Sequence, residues 1–212
     1  MLKEVKRVIL KYRTKKCFMR RVAIHYGYNT AGYTLIKSAY ELARKEFRGI
    51  LRHSGEPYFY HKLAVAVILM EYLQVHDDAN LIAAALLHDL LEDVPTWTRK
   101  RLAVQLNDDV ARLVLSVTKP DASLFKSRQK FDEGTFRKVS MYGLRSIKLK
   151  LADRLHNMIT LWCEPKKAVA KTLETLRYVL PLAVEANVLW QELTAACAEE
   201  LQRHRDIYCE SR

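Results

Sequence analysis

Along most of this 212-residue chain, apolar positions recur three and four apart, the spacing of one face of an α-helix. Leu2, Val5, Val8, Ile9 and Tyr12 make one such stripe, which predicts a basic helix over 2–24, ended by HYGYNTAGY. Ala39, Tyr40, Leu42, Ala43 and Phe47 mark a second helix over 33–50. Gly55 and Pro57 punctuate RHSGEPY as a loop, and Pro57 suits the opening turn of a strongly apolar helix over 58–76. HDDAN interrupts the apolar run, with Asp77 or Asp78 placed to cap a helix over 79–92 that stops near Pro95. Thr96 or Thr98 caps a short helix to about 106, and Asp108 or Asp109 starts another to about 117. Residues 119–134 are polar and irregular, the pattern of a mobile loop. Further helices are expected at 135–143, 145–162, 165–186 and 188–206. The expectation is an all-α bundle of about nine to ten helices. Residues 1–30 form a basic helical extension and 31–212 the domain proper.

Composition agrees with that architecture. Half the residues are hydrophobic, which excludes a disordered chain, and 6 glycines and 5 prolines are too few for a strand-and-turn fold. The net charge of +12 is uneven: residues 1–21 hold nine lysines and arginines against one acid. Residues 1–24 are therefore a candidate surface for nucleic acid or an acidic partner, set against the plainer role of a solvated basic helix. Cys17, Cys163, Cys197 and Cys209 show no CxxC spacing and read as reduced thiols of a cytoplasmic protein. No apolar run approaches the length of a membrane span, and the N-terminus has no apolar core followed by a cleavage site.

The chemistry concentrates in LLHDLLEDV, Leu86 to Val94. His88, Asp89, Glu92 and Asp93 fall within six positions of a segment that otherwise belongs in the core. On a continuous helix they share one end, where three carboxylates repel unless a cation joins them. A histidine beside an aspartate, with no thiolate near, suits a first-row divalent metal. His61, in the apolar YFYHKLAVAVILM, and Asp153, in IKLKLADRLHNMITL, are candidates to complete the shell. Asp153, Asn157 and Thr160 form a polar stripe on an otherwise apolar helix. Each residue alone is more often an ordinary buried or ion-paired side chain.

In order along the chain stand GILRHSGEPYFYH, LLHDLLEDV, VTK, FRK, KLADRLHNMITL and ETLRYVLPLA. Together they resemble the HD-type hydrolase domain of the RelA/SpoT family of guanosine tetra- and pentaphosphate enzymes, over roughly residues 40–185. The resemblance implies an HD-domain helical bundle and a manganese-dependent 3′-pyrophosphohydrolase of (p)ppGpp, an alarmone of the stringent response. The expected products are GDP or GTP and pyrophosphate. With no synthetase motif after these blocks, the expected layout is that of a stand-alone small alarmone hydrolase of the metazoan type. His61, His88, Asp89 and Asp153 match the metal ligands, and Glu92 and Asp93 match the acidic pair that works on the attacking water. Arg52 matches a residue that stacks on the base, and Asn157 and Thr160 match positions near the nucleoside.

The chain departs from the family at His53, where lysine is usual, at Ile159 in place of an arginine, and in PLAVEAN. His53 is retained as a substrate contact, weaker and pH-sensitive. Arg137 and Lys138 are expected at the substrate phosphates, as are Lys126, Arg128 and Lys130, and Tyr178 is expected at the pocket. Lys148 and Lys150 read as surface charges, His156 as a packed structural histidine, and Trp97, Trp162 and Trp190 as core or interface residues. Adenosine alarmones and NADPH are alternative substrates, because base selection depends on pocket shape.

Overall fold

A computed structural model describes residues 1–161 and 164–205. Trp162, Cys163 and Cys209 lie outside the described residues. The helices are α1 (Leu2–Lys11), α2 (Lys15–Tyr26), α3 (Ala31–Glu46), α4 (Phe59–Val67), α5 (Ala79–Leu87), α6 (Leu90–Asp93) and α7 (Arg99–Gln105). They continue as α8 (Asp108–Val117), α9 (Arg128–Met141), α10 (Leu144–Ile159), α11 (Pro165–Glu174), α12 (Leu180–Glu185) and α13 (Trp190–Arg203). The fold is all-α. No strand occurs among the described residues, and Leu51 and Pro57 form one isolated antiparallel bridge.

Several single helices expected from periodicity are divided. Thr14 separates α1 from α2 because its Oγ1 caps the Cys17 N–H at 3.2 Å. Helix α4 passes into a π-turn over Ile68–Tyr72. Pro181 lies in the first turn of α12, and the preceding turn, Thr175–Val179, widens into a second π-turn. A proline ring has no N–H and clashes with the carbonyl four residues back, which accounts for that adjustment. Asp78 caps α5 and Thr98 caps α7, but α8 is capped by Asn107, through the Val110 N–H, and not by Asp108 or Asp109.

The segment read as a mobile loop ends in helix: its residues from Arg128 on belong to α9, and a 3-10 turn spans Ala122–Leu124. Ser127 caps α9, Lys130 pairs with Glu133 on its exposed side, and Arg128 pairs with the buried Asp132. Gly134 lies within this helix and serves packing, since a Cβ there would run into the Phe125 ring.

Helix α5 is the buried axis. Every residue from Leu81 to Leu87 is buried, and the helix packs against α3, α4 and α8. Helix α10 crosses the same layer and meets α4, α8, α9 and α13. Leu2, Val5, Phe18 and Val22 of the basic N-terminal segment join this single hydrophobic cluster, and α1 packs against α4, α13 and the first π-turn. Trp97 is buried, whereas Trp190 is partly exposed. Cys17 is an exposed free thiol and Cys197 a buried one. No described helix is long and apolar enough to cross a membrane.

Candidate metal centre and adjoining cavities

His61 projects from α4, Asp153 from α10, and His88 and Asp89 from the junction between α5 and α6. The expected continuous helix over 79–92 is interrupted at that junction: Asp89 leaves α-helical geometry, at φ −101° and ψ 5°, and α6 restarts at Leu90. The break turns Asp89 towards His88 of the same junction and towards α4, and the Ala/Leu run of α5 anchors it in the core.

His61, His88 and Asp153 are all buried. His61 Nε2 lies 3.2 Å from His88 Nε2 and 3.2 Å from Asp153 Oδ1. His88 Nε2 lies 3.6 Å from Asp153 Oδ1 and 3.2 Å from Asp89 Oδ2, and Asp89 Oδ2 is 4.0 Å from His61 Nε2. His88 Nδ1 donates to the Ala85 carbonyl at 2.8 Å, so Nε2 is the nitrogen that would give up its proton to a cation. The Nε2 atoms of both imidazoles and one oxygen from each of Asp89 and Asp153 therefore converge on one point. Donor atoms held about 2.1 Å from one ion stand at comparable separations, so this set fits a divalent cation. His61, His88 and Asp153 form the tight trio, and Asp89 closes the fourth side.

The electrostatics follow from burial and neighbours. Burial, with Lys62 close by, pushes His61 down to about 3. Burial opposes protonation of His88 as well, but Asp89 and Asp153 outweigh it and hold this imidazole up at about 9. Burial likewise opposes ionisation of Asp89 and Asp153. His88 and Lys62 nevertheless keep Asp89 well below the usual carboxylate range, and Lys150 with the two histidines does so for Asp153.

Several residues here escaped the sequence reading. Lys62 is fully buried, lies 3.8 Å from the Tyr58 ring centre, and donates to Asp89 Oδ2, which also accepts from the Tyr58 hydroxyl at 2.8 Å. A lysine inside YFYHKLAVAVILM was the available signal, since a charge in such a run needs a partner. Lys150 is not a surface charge: its ammonium donates to Asp153 Oδ2 at 3.0 Å. Lys119 clamps Glu92 through two 2.7 Å bonds. Arg154, adjacent to Asp153, pairs instead with Glu174 of α11.

Two cavities meet at the centre. The smaller, about 160 Å³, is lined by His61, Asp89 and Asp153, by the cations Lys119, Arg128, Lys150, Arg154 and Lys171, and by Glu92, Asp132 and Glu174, with which most of those cations pair. The larger, about 780 Å³, is lined by Ile50, Arg52, His53, Thr160 and Leu161. Tyr58, Asp93, Asn157 and Lys171 belong to both. Arg52 reaches this place on a tight turn closed by Gly55 at φ +81°, whose N–H donates to the Arg52 carbonyl at 2.8 Å. Arg137 is exposed and Lys138 donates to the Thr118 carbonyl at 2.9 Å. Tyr178 stacks on Phe136, and none of these three lines either cavity. Lys126 and Lys130 also stay outside, while Arg128 is brought in by α9.

A second cluster, His25, Glu71 and His76, has ligand-like spacing. There the Arg21 guanidinium already supplies the cation, 2.9 Å from Glu71 and 3.0 Å from His25.

The family profile described as the HD domain matches residues 39–187, which carry every element of the centre. The chain belongs to the HD-domain family. The HD domain implies a divalent metal, and the His/Asp cluster is the group suited to hold it. This HD chain is 37% identical over 172 residues to guanosine-3′,5′-bis(diphosphate) 3′-pyrophosphohydrolase of Haemophilus influenzae, covering 77% of the chain and 24% of that protein. It is 40% identical over 152 residues to the bifunctional (p)ppGpp synthase/hydrolase SpoT of Escherichia coli, covering 70% and 21%. The Aquifex aeolicus pyrophosphohydrolase is 40% identical over 156 residues, covering 72% and 22%. The chain thus spans about a quarter or less of the length of these relatives. The HD fold is also that of a solved structure described as a metazoan orthologue of SpoT that hydrolyses ppGpp. That match has a TM-score of 0.66 and 20% identity, over 78% of this chain and 94% of the other.

Proposed function

We propose that the chain is a manganese-dependent (p)ppGpp 3′-pyrophosphohydrolase that releases pyrophosphate and leaves GDP or GTP. The observation that carries the reading is a small cavity at the His/Asp cluster that adjoins a wider one across Tyr58, Asp93, Asn157 and Lys171. One side sets Lys119, Arg128, Lys150, Arg154 and Lys171 among carboxylates, so that these cations together with a bound metal could take a pyrophosphate; the other is wider, edged by Arg52, Asn157 and Thr160, and suits a nucleoside. The names of the relatives supply the substrate class.

In this reading His61, His88, Asp89 and Asp153 hold the metal, which would make bound water acidic and polarise a phosphoryl oxygen. Asp93 borders both cavities and accepts the proton of the attacking water. Lys119, Arg128, Lys150 and Lys171 bind the pyrophosphate and offset its charge as it leaves. Arg52 and Asn157 flank the nucleoside, and His53 and Thr160 lie further along the same wall. The reading places the protein in the cytoplasm with a soluble nucleotide. It leaves the exposed cations Lys3, Lys6, Lys11, Lys15 and Lys16 as the surface for nucleic acid or another acidic partner.

The test incubates purified protein with (p)ppGpp and Mn²⁺ and measures pyrophosphate. Release is expected; none with any first-row divalent metal refutes the activity. Parallel reactions with adenosine alarmones and NADPH read out base selection, and faster turnover of either would reassign the substrate.

A further inference from the structure

His156 ligates nothing in the scheme above, yet it sits buried in α10 with its ring centre 4.9 Å from that of His61. Its Nδ1 lies 2.8 Å from His61 Nδ1 and 3.2 Å from an amino group of Arg52. A guanidinium can only donate, so His156 Nδ1 is an acceptor without a proton. Two bare ring nitrogens cannot face each other at 2.8 Å, so the proton between the rings belongs to His61 Nδ1. That leaves His61 Nε2 with its lone pair turned towards His88 and Asp153.

The other amino group of Arg52 repeats the logic on a second ligand. It donates to Asn157 Oδ1 at 3.0 Å, which fixes that amide so that Nδ2 donates to Asp153 Oδ1 at 2.7 Å. One guanidinium thus sets the donor pattern of two side chains, and each orients a different candidate ligand. Arg52 also lines the wider cavity, where it is exposed to whatever occupies it.

We infer that Arg52, acting through His156 and Asn157, is a positioning residue that fixes the His61 tautomer and the Asp153 carboxylate for metal binding. His156 is therefore a positioning residue and not merely a packed one. The inference rests on the metal-site part of the proposed function and is independent of the substrate. Partners of this kind hold metal ligands in register, and their loss typically costs about 10- to 100-fold in metal affinity.

The experiment titrates Mn²⁺ into metal-free, full-length protein without nucleotide, by calorimetry, and records ¹⁵N spectra of its histidines. His156→Ala is expected to bind Mn²⁺ about 10- to 100-fold more weakly. His156→Asn, which restores an acceptor near the same place, should recover most of that loss. Metal-free wild type should show His61 protonated on Nδ1, and Arg52→Met should show a mixture of tautomers with weakened Mn²⁺ binding. Wild-type affinity in His156→Ala overturns the inference, as does a His61 proton on Nε2 in the wild type. If His156→Ala does not fold, the nitrogen spectra decide: the same tautomer in wild type and Arg52→Met overturns it. Failure of wild type to bind Mn²⁺ would refute the metal reading itself, and failure to cleave (p)ppGpp with normal metal binding would refute only the substrate.

Discussion

Lys119 donates to both carboxylate oxygens of Glu92, from its backbone N–H to Oε1 and from its ammonium to Oε2, each at 2.7 Å. Glu92 is thereby tied to the end of α8, while Asp93 has no such clamp and is pushed above the usual carboxylate range by burial and the charge of Asp89. A base needs a free lone pair and a pKa nearer neutrality. Asp93→Asn is therefore expected to lower kcat by about 10²–10⁴. Glu92→Gln, which keeps an acceptor for the Lys119 N–H, should lose less. Steady-state rates at saturating Mn²⁺ check the order, and a larger loss in Glu92→Gln would move the base to that residue.

Lys62 gives the metal-free centre a cation of its own. Replacing it by methionine keeps the bulk between Phe47 and Tyr58 but leaves Asp89 facing His88 without its ammonium. Removing one partner of a buried pair costs about 3–5 kcal/mol, and the opening of Asp89 to the cavity makes that an upper bound. The metal-free Lys62→Met protein should melt well below wild type, and saturating Mn²⁺ should recover most of the difference. Equal melting of the two metal-free proteins would show that Asp89 does not depend on Lys62.

The fold class was legible because apolar periodicity is a short-range signal; His61, His88, Asp89 and Asp153, which the structure brings together, stood out as ionisable residues inside apolar runs and by the order of the family's blocks. The break at Asp89 was not, since nothing between Leu81 and Asp93 is a helix breaker. Tertiary packing bends the chain there. Lys150 looked like a surface charge because only the approach of α4 and the α5–α6 junction buries Asp153 and its partner. The start of α9 looked like a loop because Arg128 to Gly134 is mostly polar and offers no apolar stripe.

The basic N-terminal segment offers a test of whether it is an arm or part of the core. Phe18 is fully buried and stacks with Tyr40 of α3 at 5.7 Å. Phe18→Ala is expected to cost about 3–5 kcal/mol in urea unfolding. A detachable arm would leave the transition unchanged. Because truncation would open the core, polyanion binding is better tested in the intact chain with Lys3, Lys6 and Lys11 changed to glutamine.

Glu174 should make stability fall in acid. Burial alone would raise its carboxyl, but Arg154 and Lys171 outweigh that and hold it at about 2, against 4.5 for a free glutamate. Arg154 donates to Oε1 at 2.6 Å and Lys171 to Oε2 at 3.4 Å, joining α10 to α11 beside the smaller cavity. The folded value lies below the unfolded one, so the unfolded chain binds the proton first as pH falls. The stabilisation is therefore fully present well above pH 4.5 and drains away between 4.5 and about 2. Its ceiling is about 3 kcal/mol, of which about 2 kcal/mol should be lost between about pH 6 and pH 3. Urea unfolding of wild type and Glu174→Gln at both pH values isolates this group, because the glutamine has no proton to bind. Wild type should lose about 2 kcal/mol more than the variant over that interval. Equal losses would mean that Glu174 is not held by Arg154 and Lys171 in solution.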